Sequence, residues 1–246
     1  MHFDYIWFDM GYTLVYKKRE ALFGRILEKT GSRRSYEEIE KAFHVTDKRL
    51  MRDFPGLLAR PSAEFMPLYI GLLCYTLQIH GDIVSILDAW FKEWKSKESE
   101  WFAYSHVFEV LDALLKKGYR LGIISNWDLS ARSVLAKCGL EGYFDTIVIS
   151  SEVGYAKPDR RIFISALQLA GVEPSNCLYI GDNYYDDVVG ASSVGMKYLI
   201  INRFGRLGIE ELPQLEVVSS IADVIPYLER TDREQPQHRN EYSAEG

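Results

Sequence analysis

Cysteine is scarce in this chain, and its cysteines lie far apart. The three cysteines are Cys74, Cys138 and Cys177, and no two of them have the CxxC spacing that zinc sites and redox-active thiols use. An odd, scattered set also provides no disulfide framework. We therefore expect reduced thiols in a cytoplasmic protein, with no zinc site and no disulfide.

Long apolar runs and an excess of basic charge are also missing. The chain has no stretch of about 18 consecutive apolar residues, so no membrane span is predicted. Residues 1–8 lack the basic region of a signal peptide. The formal net charge is −6, whereas proteins that bind a nucleic-acid backbone cluster Lys and Arg. We therefore expect neither a membrane nor a nucleic acid as partner, and the sequence leaves the oligomeric state open.

The chain does have enough apolar content for a sizeable core, since 47% of its residues are hydrophobic. Residues 5–8 form an apolar run that predicts a buried strand. From residue 17 to residue 99, apolar residues recur every three or four positions, which predicts helices without an intervening strand. Beyond residue 100, helices are predicted at 107–117, 129–138, 159–170 and 186–194, and strands at 120–125, 146–150, 177–180 and 198–201.

Strands that alternate with helices predict an α/β fold with a doubly wound parallel sheet covered on both faces. The helical stretch interrupts this pattern after the first strand. We therefore predict an α/β core from residues 1–16 and 100–229, with an inserted helical cap from residues 17–99. Residues 230–246 are polar and charged, and we expect them to be a disordered tail.

Polar side chains follow four of the predicted strands. A polar residue after a strand is usually a turn former or a helix cap, so each case alone is weak. Four such cases at the carboxyl edge of one parallel sheet, where these folds bind ligands, are harder to explain as turns. The residues concerned are Asp9, Ser125 and Asn126, Lys157, and Asp182 with Asp186 and Asp187.

These side chains suit a phosphoryl group. Asp9, Asp182 and Asp187 would repel one another as like charges, and a divalent cation removes that repulsion. Carboxylates with a backbone carbonyl and waters suit Mg²⁺. Lys157 adds a fixed positive charge, while the Ser125 and Asn126 side chains add neutral donors to bind the phosphate oxygens. In such a site an Asp can act as the nucleophile through an aspartyl-phosphate.

The four segments resemble the four motifs of the haloacid dehalogenase superfamily. They are residues 9–14 (DMGYTL), 124–126 (ISN), 157–159 (KPD) and 181–187 (GDNYYDD). The resemblance implies a Rossmann-like core with a helical cap inserted after the first motif. It is closest to a phosphatase-like branch of the superfamily.

The resemblance also implies a role for each matching residue. Asp9 would be the nucleophile and a metal ligand, and Thr13 would hold the turn that follows it. The Mg²⁺ shell would include Asp9, the Gly11 carbonyl and Asp182, with Asp187 supporting it directly or through water. The phosphoryl group would be bound by Ser125, and Lys157 would neutralise the charge of Asp9 and the phosphate.

The chain departs from this family's phosphatases at Gly11, where they carry a second Asp that protonates the leaving oxygen. General acid–base help of that kind is worth about 100- to 10,000-fold in rate. Asp128 and Tyr12 are candidate substitute acids. Asp128 is equally suited to capping the helix predicted from residue 129, and Tyr12 to packing as an aromatic.

These features predict a Mg²⁺-dependent phosphatase that acts through Asp9 on a small phosphorylated metabolite. The sequence does not reveal which metabolite. One alternative is a non-catalytic binding protein, since the loss of one acid is an easy route to an inactive scaffold. A weaker alternative is a metal-independent 2-haloacid dehalogenase, which also lacks the second Asp but does not need Asp182 and Asp187.

Overall fold

A computed structural model describes residues 3–94, 100–213 and 215–233. The strands are β1 (Tyr5–Phe8), β2 (Val15–Tyr16), β3 (Phe102–Ala103), β4 (Arg120–Ser125), β5 (Thr146–Ile149), β6 (Cys177–Gly181), β7 (Lys197–Ile201) and β8 (Val217–Val218). The α-helices are α1 (Arg19–Lys29), α2 (Tyr36–Asp53), α3 (Ser62–Thr76), α4 (Ile83–Trp94), α5 (Val107–Lys116), α6 (Ala131–Lys137), α7 (Ser150–Val153), α8 (Arg160–Ala170), α9 (Val189–Ser193) and α10 (Val224–Arg233).

The main sheet is parallel and has the strand order β5-β4-β1-β6-β7-β8. The first strand therefore lies in the middle of the sheet, between β4 and β6. Helices cover both faces, and this confirms the predicted α/β class. Because all these strands run in the same direction, their carboxyl ends share one edge.

Strand β1 is buried on both sides, which explains its uninterrupted apolar sequence. Successive side chains of a strand point to opposite faces. Ile6 and Phe8 accordingly pack in one core cluster, with α5 and α10, while Tyr5 and Trp7 pack in the other, with α8. The residue that follows β1 is thereby fixed at the centre of the sheet edge.

Helices α1 to α4, which we call the cap helices, follow the first motif as predicted and form their own apolar cluster within residues 22–94. No strand occurs in the described residues 17–94. Helix α2 begins at a capping box, in which the Ser35 side chain and the Glu38 side chain satisfy each other's backbone N–H groups. The exact limits of the cap, 17–99, remain a prediction, and residues 95–99 lie outside the described residues.

Several features differ from the prediction. The helix expected at 186–194 begins earlier, as a π-helical turn at Tyr184–Val188 that continues into α9. Helix α10 reaches Arg233, so residues 230–233 are helical; the rest of the expected tail, 234–246, lies outside the described residues. The pairs β2–β3 and β7–β8 were not predicted, because two-residue strands show no periodicity.

The sequence predicts no membrane span, because it has no long apolar run. None of the helices within the described ranges combines the length and apolar character needed to cross a bilayer.

Candidate active site

The ends of the three central strands place Asp9, Ser125 and Asp182 side by side at the carboxyl edge of the sheet. Strand β1 is in register with β4 and with β6, so the residues that follow each strand are neighbours. The backbone N–H of Asp9 donates a hydrogen bond to the Ile180 carbonyl at 2.8 Å. The backbone therefore holds Asp9 rigidly at this edge.

Lys157 lies at the centre of the site, although it comes from a loop before α8. Its ammonium donates to Asp9 Oδ1 at 2.6 Å, to Asp187 Oδ1 at 2.6 Å and to the Tyr179 hydroxyl at 2.9 Å. Only 4% of the residue is exposed. Burial by itself lowers the pKa of Lys157, but the charges of Asp187 and Asp9 outweigh it and raise the pKa well above its ordinary value. Lys157 is therefore a permanent cation between two carboxylates.

Asn126 holds the Lys157 backbone in place. Its Oδ1 accepts from the Lys157 N–H at 2.7 Å, and its Nδ2 donates to the Lys157 carbonyl at 2.9 Å. That the Asn126 side chain also binds the phosphoryl group stays a prediction. Both ends of the amide are used to position the loop that carries the lysine.

Asp9 has one oxygen engaged and one open. Ser125 Oγ donates to Oδ1 at 3.0 Å, and the Lys157 ammonium binds the same atom. The other oxygen, Oδ2, has no hydrogen bond within the described part of the chain. Burial, aided by the charge of Asp187 and opposed by Lys157, raises the pKa of Asp9 to about 6. The open oxygen is the one available to a metal or to an electrophile.

Three carboxylates converge as the sequence predicted. Asp9, Asp182 and Asp187 each offer an oxygen within 4.8 Å of the others. Burial raises the pKa of Asp182, and the charge of Asp187 adds to this while Lys48 opposes it. An all-oxygen set of clustered, desolvated carboxylates fits a hard cation such as Mg²⁺, whose charge would offset their repulsion.

The π-helical turn after β6 orients Asp187. Asp187 Oδ2 accepts from the Asn183 N–H at 2.9 Å, and Oδ1 accepts from the Tyr179 hydroxyl at 3.1 Å. Gly181 is required beneath it, since a Cβ at that position would lie 2.1 Å from Asp187 Oδ2. Neighbouring Asp186 accepts from the Asn183 Nδ2 at 2.9 Å, and burial raises the pKa of Asp186 to about 7.

Aromatic rings occupy the space beside Gly11. A Cβ at Gly11 would lie 3.2 Å from Trp127 Cζ3 and 3.9 Å from Trp101 Cη2. The two tryptophan rings pack against each other with centroids 4.6 Å apart, and Tyr12 packs edge-on against Trp101 at 5.7 Å. We call these three residues, Tyr12, Trp101 and Trp127, the aromatic wall. It crowds the position at which related phosphatases would carry the acid.

Neither candidate substitute acid is well suited to the task. Asp128 is exposed, and its Oδ1 accepts from the Ser130 N–H at 2.8 Å, which stabilises the turn before α6. Burial raises the pKa of Tyr12, despite the opposing charge of Arg19, so Tyr12 is a weaker proton donor than an ordinary tyrosine.

Thr13 does not have the contact expected of it. Its buried Oγ1 lacks a hydrogen-bond partner in the described residues. The turn after Asp9 is held instead by the backbone, since the N–H groups of Leu14 and Val15 both donate to the Met10 carbonyl at 3.0 Å.

Sequence reasoning missed several residues that contact the site. Lys48, on cap helix α2, donates to Asp182 Oδ2 at 3.1 Å and also to the Asp182 carbonyl. In the sequence, Tyr179 looks like an ordinary residue of a strand, and Trp127 looks like an aromatic residue of a loop. No local pattern marks Tyr179 or Trp127. Lys48 has a weak signal, since its neighbours Thr46 and Asp47 are also polar in a helix whose other face is apolar.

The fold and site together define an α/β protein with a nucleophile-like carboxylate, a buried lysine and a carboxylate cluster at one sheet edge. Residues 6–201 match the model of the haloacid dehalogenase-like hydrolase family, and the chain belongs to this family.

Known relatives agree with this assignment. Haloacid dehalogenase-like hydrolase domain-containing protein 3 of Xenopus laevis is 30% identical over 77% of this chain and 80% of its own length. Glyceraldehyde 3-phosphate phosphatase of Methanothermobacter thermautotrophicus is 39% identical over 40% of this chain and 44% of its own. The crystal structure of a phosphatase of this family from Thermococcus onnurineus covers 93% of this chain and 98% of its own, at 21% identity and a TM-score of 0.55, which shows the shared fold.

Proposed function

We propose that this protein is a Mg²⁺-dependent phosphatase that hydrolyses a small phosphorylated metabolite through an aspartyl-phosphate on Asp9. One observation carries the proposal: Lys157 and Ser125 both bind a single oxygen of Asp9, and the other oxygen is open beside two further carboxylates. Residues 17–99 would be the cap that covers this site.

The chain's own groups suggest how the reaction would proceed. Asp9 Oδ2 would attack phosphorus and form a new oxygen–phosphorus bond, while the ester oxygen leaves with the electron pair of the broken bond. Water would then hydrolyse the aspartyl-phosphate, which releases phosphate and restores the carboxylate. Lys157 and Ser125 would hold Asp9 in position and provide donors for the phosphate oxygens.

A divalent cation would be held by Asp9, Asp182 and Asp187 together with the Gly11 carbonyl. When bound, it would neutralise charge on the phosphoryl oxygens.

The leaving group would have to depart without a dedicated acid. Gly11 has no side chain, and the aromatic wall fills the adjoining space. We therefore expect turnover to favour phosphates whose leaving oxygen is a weak base, such as aryl phosphates. Alkyl phosphates should react about 100-fold or more slowly, because general acid catalysis is missing.

The phosphatase names among the relatives support phosphate over halide as the target. The intact carboxylate cluster supports it independently, because a halide displacement would need neither Asp182 nor Asp187.

Hydrolysis of p-nitrophenyl phosphate tests the proposal. The wild type should release p-nitrophenol only with Mg²⁺, and an Asp9→Asn variant should not. Asn keeps the size of Asp9 but cannot form the intermediate. Wild-type release no faster than that of Asp9→Asn would disprove the catalytic proposal, and metal-free chloride release from a 2-chloro acid would favour a dehalogenase.

A non-catalytic binding protein is the second candidate. It is favoured by the Trp127 ring beside Gly11, since a scaffold that has lost its acid would be free to fill that space. Binding of inorganic phosphate in titration calorimetry, without turnover of p-nitrophenyl phosphate, would select this candidate.

A further inference from the structure

One face of cap helix α2 carries a stripe of polar residues at every fourth position. Residues four apart lie on the same face of a helix. Each member of this stripe contacts the core, in the segment after β7 or at the end of β6. The contacts are Glu40 with Arg203 as an ion pair, His44 Nε2 with the Leu207 carbonyl at 2.9 Å, Lys48 with Asp182, and Arg52 with Glu211 at 3.5 Å. This stripe docks the cap on the core.

Lys48 is the member of the stripe that enters the active site. Its ammonium binds both Asp182 Oδ2, at 3.1 Å, and the Asp182 carbonyl, and only 5% of the residue is exposed. The start of its side chain packs on Gly208, where an added Cβ would lie 3.0 Å from Lys48 Cβ. The lysine is therefore fixed from both ends, by packing at its stem and by two oxygens at its tip.

The partner of Lys48 is one of the three carboxylates proposed above to hold the metal. The Lys48 ammonium offsets the negative charge of Asp182, which a divalent cation would otherwise offset. Lys157 forms ion pairs with Asp9 and Asp187 from the other side and offsets one of their two charges. Lys48 therefore offsets part of the negative charge of the cluster without a metal, and it does so from the cap.

We propose that Lys48 competes with the divalent cation for Asp182, so that metal binding weakens the docking of α2 on the core. This inference depends on the metal site of the proposed function. By thermodynamic linkage, the free energy by which the cation weakens the Lys48–Asp182 contact equals the free energy by which that contact weakens cation binding. Lys48 thus couples the metal site to the position of the cap.

The opposite role is physically possible and predicts the opposite result. If Lys48 only oriented Asp182 for the metal, removing it would loosen a ligand and weaken metal binding. If it competes, removing it takes away one positive charge close to a doubly charged ion. That repulsion, even with the screening of water, corresponds to roughly a tenfold change in affinity.

Titration calorimetry of the full chain with MgCl₂, without any phosphate ester, tests whether Lys48 weakens or strengthens Mg²⁺ binding. Lys48→Met keeps the packing stem and removes the charge, and we expect roughly tenfold tighter Mg²⁺ binding than in the wild type. Arg52→Met is the matched control, because it removes a positive charge from the same stripe and contacts no member of the carboxylate cluster. Its affinity should stay within about twofold of the wild type. Equal or weaker binding by Lys48→Met would overturn the proposal.

Amide hydrogen exchange of the wild type provides a second readout that needs no variant. Saturating Mg²⁺ should speed exchange at least severalfold in α2 and in residues 203–211, and Mg²⁺-free buffer with matched ionic strength is the reference. No change, or slower exchange in both segments, would overturn the coupling. Neither measurement involves turnover, so a protein that binds Mg²⁺ as expected but hydrolyses nothing would refute only the proposed function.

Discussion

An Asp in place of Gly11 should fit only if the neighbouring tryptophan rings move. A Cβ there would lie 3.2 Å from Trp127 Cζ3, which is closer than the ordinary carbon–carbon separation of about 3.5–4.0 Å. Asp adds three more atoms beyond that Cβ. Trp127 cannot yield freely, because its Nε1 donates to Ser130 Oγ at 3.1 Å and its ring packs on Trp101.

Gly11→Asp alone should therefore lower the free energy of unfolding by about 1–3 kcal/mol, which is typical of overpacking. Its rate on alkyl phosphates should improve little, since the new carboxyl would be displaced by the ring. Combining it with Trp127→Ala should relieve the clash. We expect a favourable coupling energy of about 1–2 kcal/mol between the two changes.

The same double variant tests the missing acid. If proton transfer limits turnover, Gly11→Asp with Trp127→Ala should hydrolyse alkyl phosphates about 100-fold faster than Trp127→Ala alone, and aryl phosphates with much less gain. Urea denaturation followed by circular dichroism gives the stabilities, and kcat/KM on paired alkyl and aryl phosphates gives the rates.

Gly142→Asp is the control for the substitution itself. Gly142 is exposed and an added Cβ meets nothing within 4 Å, so its stability should stay within about 0.5 kcal/mol of the wild type. A Gly11→Asp variant as stable as Gly142→Asp would refute the steric reasoning. A folded double variant with no gain on alkyl phosphates would show that the acid is not what limits the rate.

Three further predictions concern the groups that hold the site together. Asn126→Ala removes two hydrogen bonds to the Lys157 backbone, so it should lower the free energy of unfolding by about 2 kcal/mol and reduce kcat; a loss below about 0.5 kcal/mol in urea denaturation would contradict this. Gly181→Ala would place a Cβ 2.1 Å from Asp187 Oδ2, so the carboxylate must shift, and Mg²⁺ affinity in calorimetry should fall about 10- to 100-fold rather than stay unchanged. Burial raises the pKa of Asp9 to about 6, so protons compete with the metal below that pH. Mg²⁺ affinity should be nearly constant above pH 7 and should fall below pH 6 by up to about tenfold per pH unit; titrations at pH 5.5 and 7.5 that give one affinity would refute this.

Much of the site was predictable because its residues follow strands directly. The apolar run before Asp9 and the one before Asp182 predict strands β1 and β6 from local pattern alone, and parallel strands bring their carboxyl ends together. The convergence of Asp9, Asp182 and Asp187 followed from that rule without any knowledge of contacts. The roles of these residues in a reaction remain predictions.

Contacts between distant segments were not predictable in this way. The sequence did not indicate that the Asn126 amide binds the backbone of Lys157, which is 31 residues away in the chain. Lys48 comes from a helix of the predicted cap, and the sequence did not indicate which part of the core that helix contacts. Its contact with Asp182, 134 residues away, depends on how the cap docks.

The sequence alone thus determined the fold class, the sheet edge that carries the site and the carboxylates gathered there, because local periodicity and strand direction are properties of short segments. Only the tertiary structure decided that Trp127 crowds Gly11, that Asn126 positions Lys157 and that Lys48 reaches Asp182. Those contacts depend on the packing of side chains from separate segments, and packing at near-crystalline density is set by the whole fold rather than by any one stretch of chain.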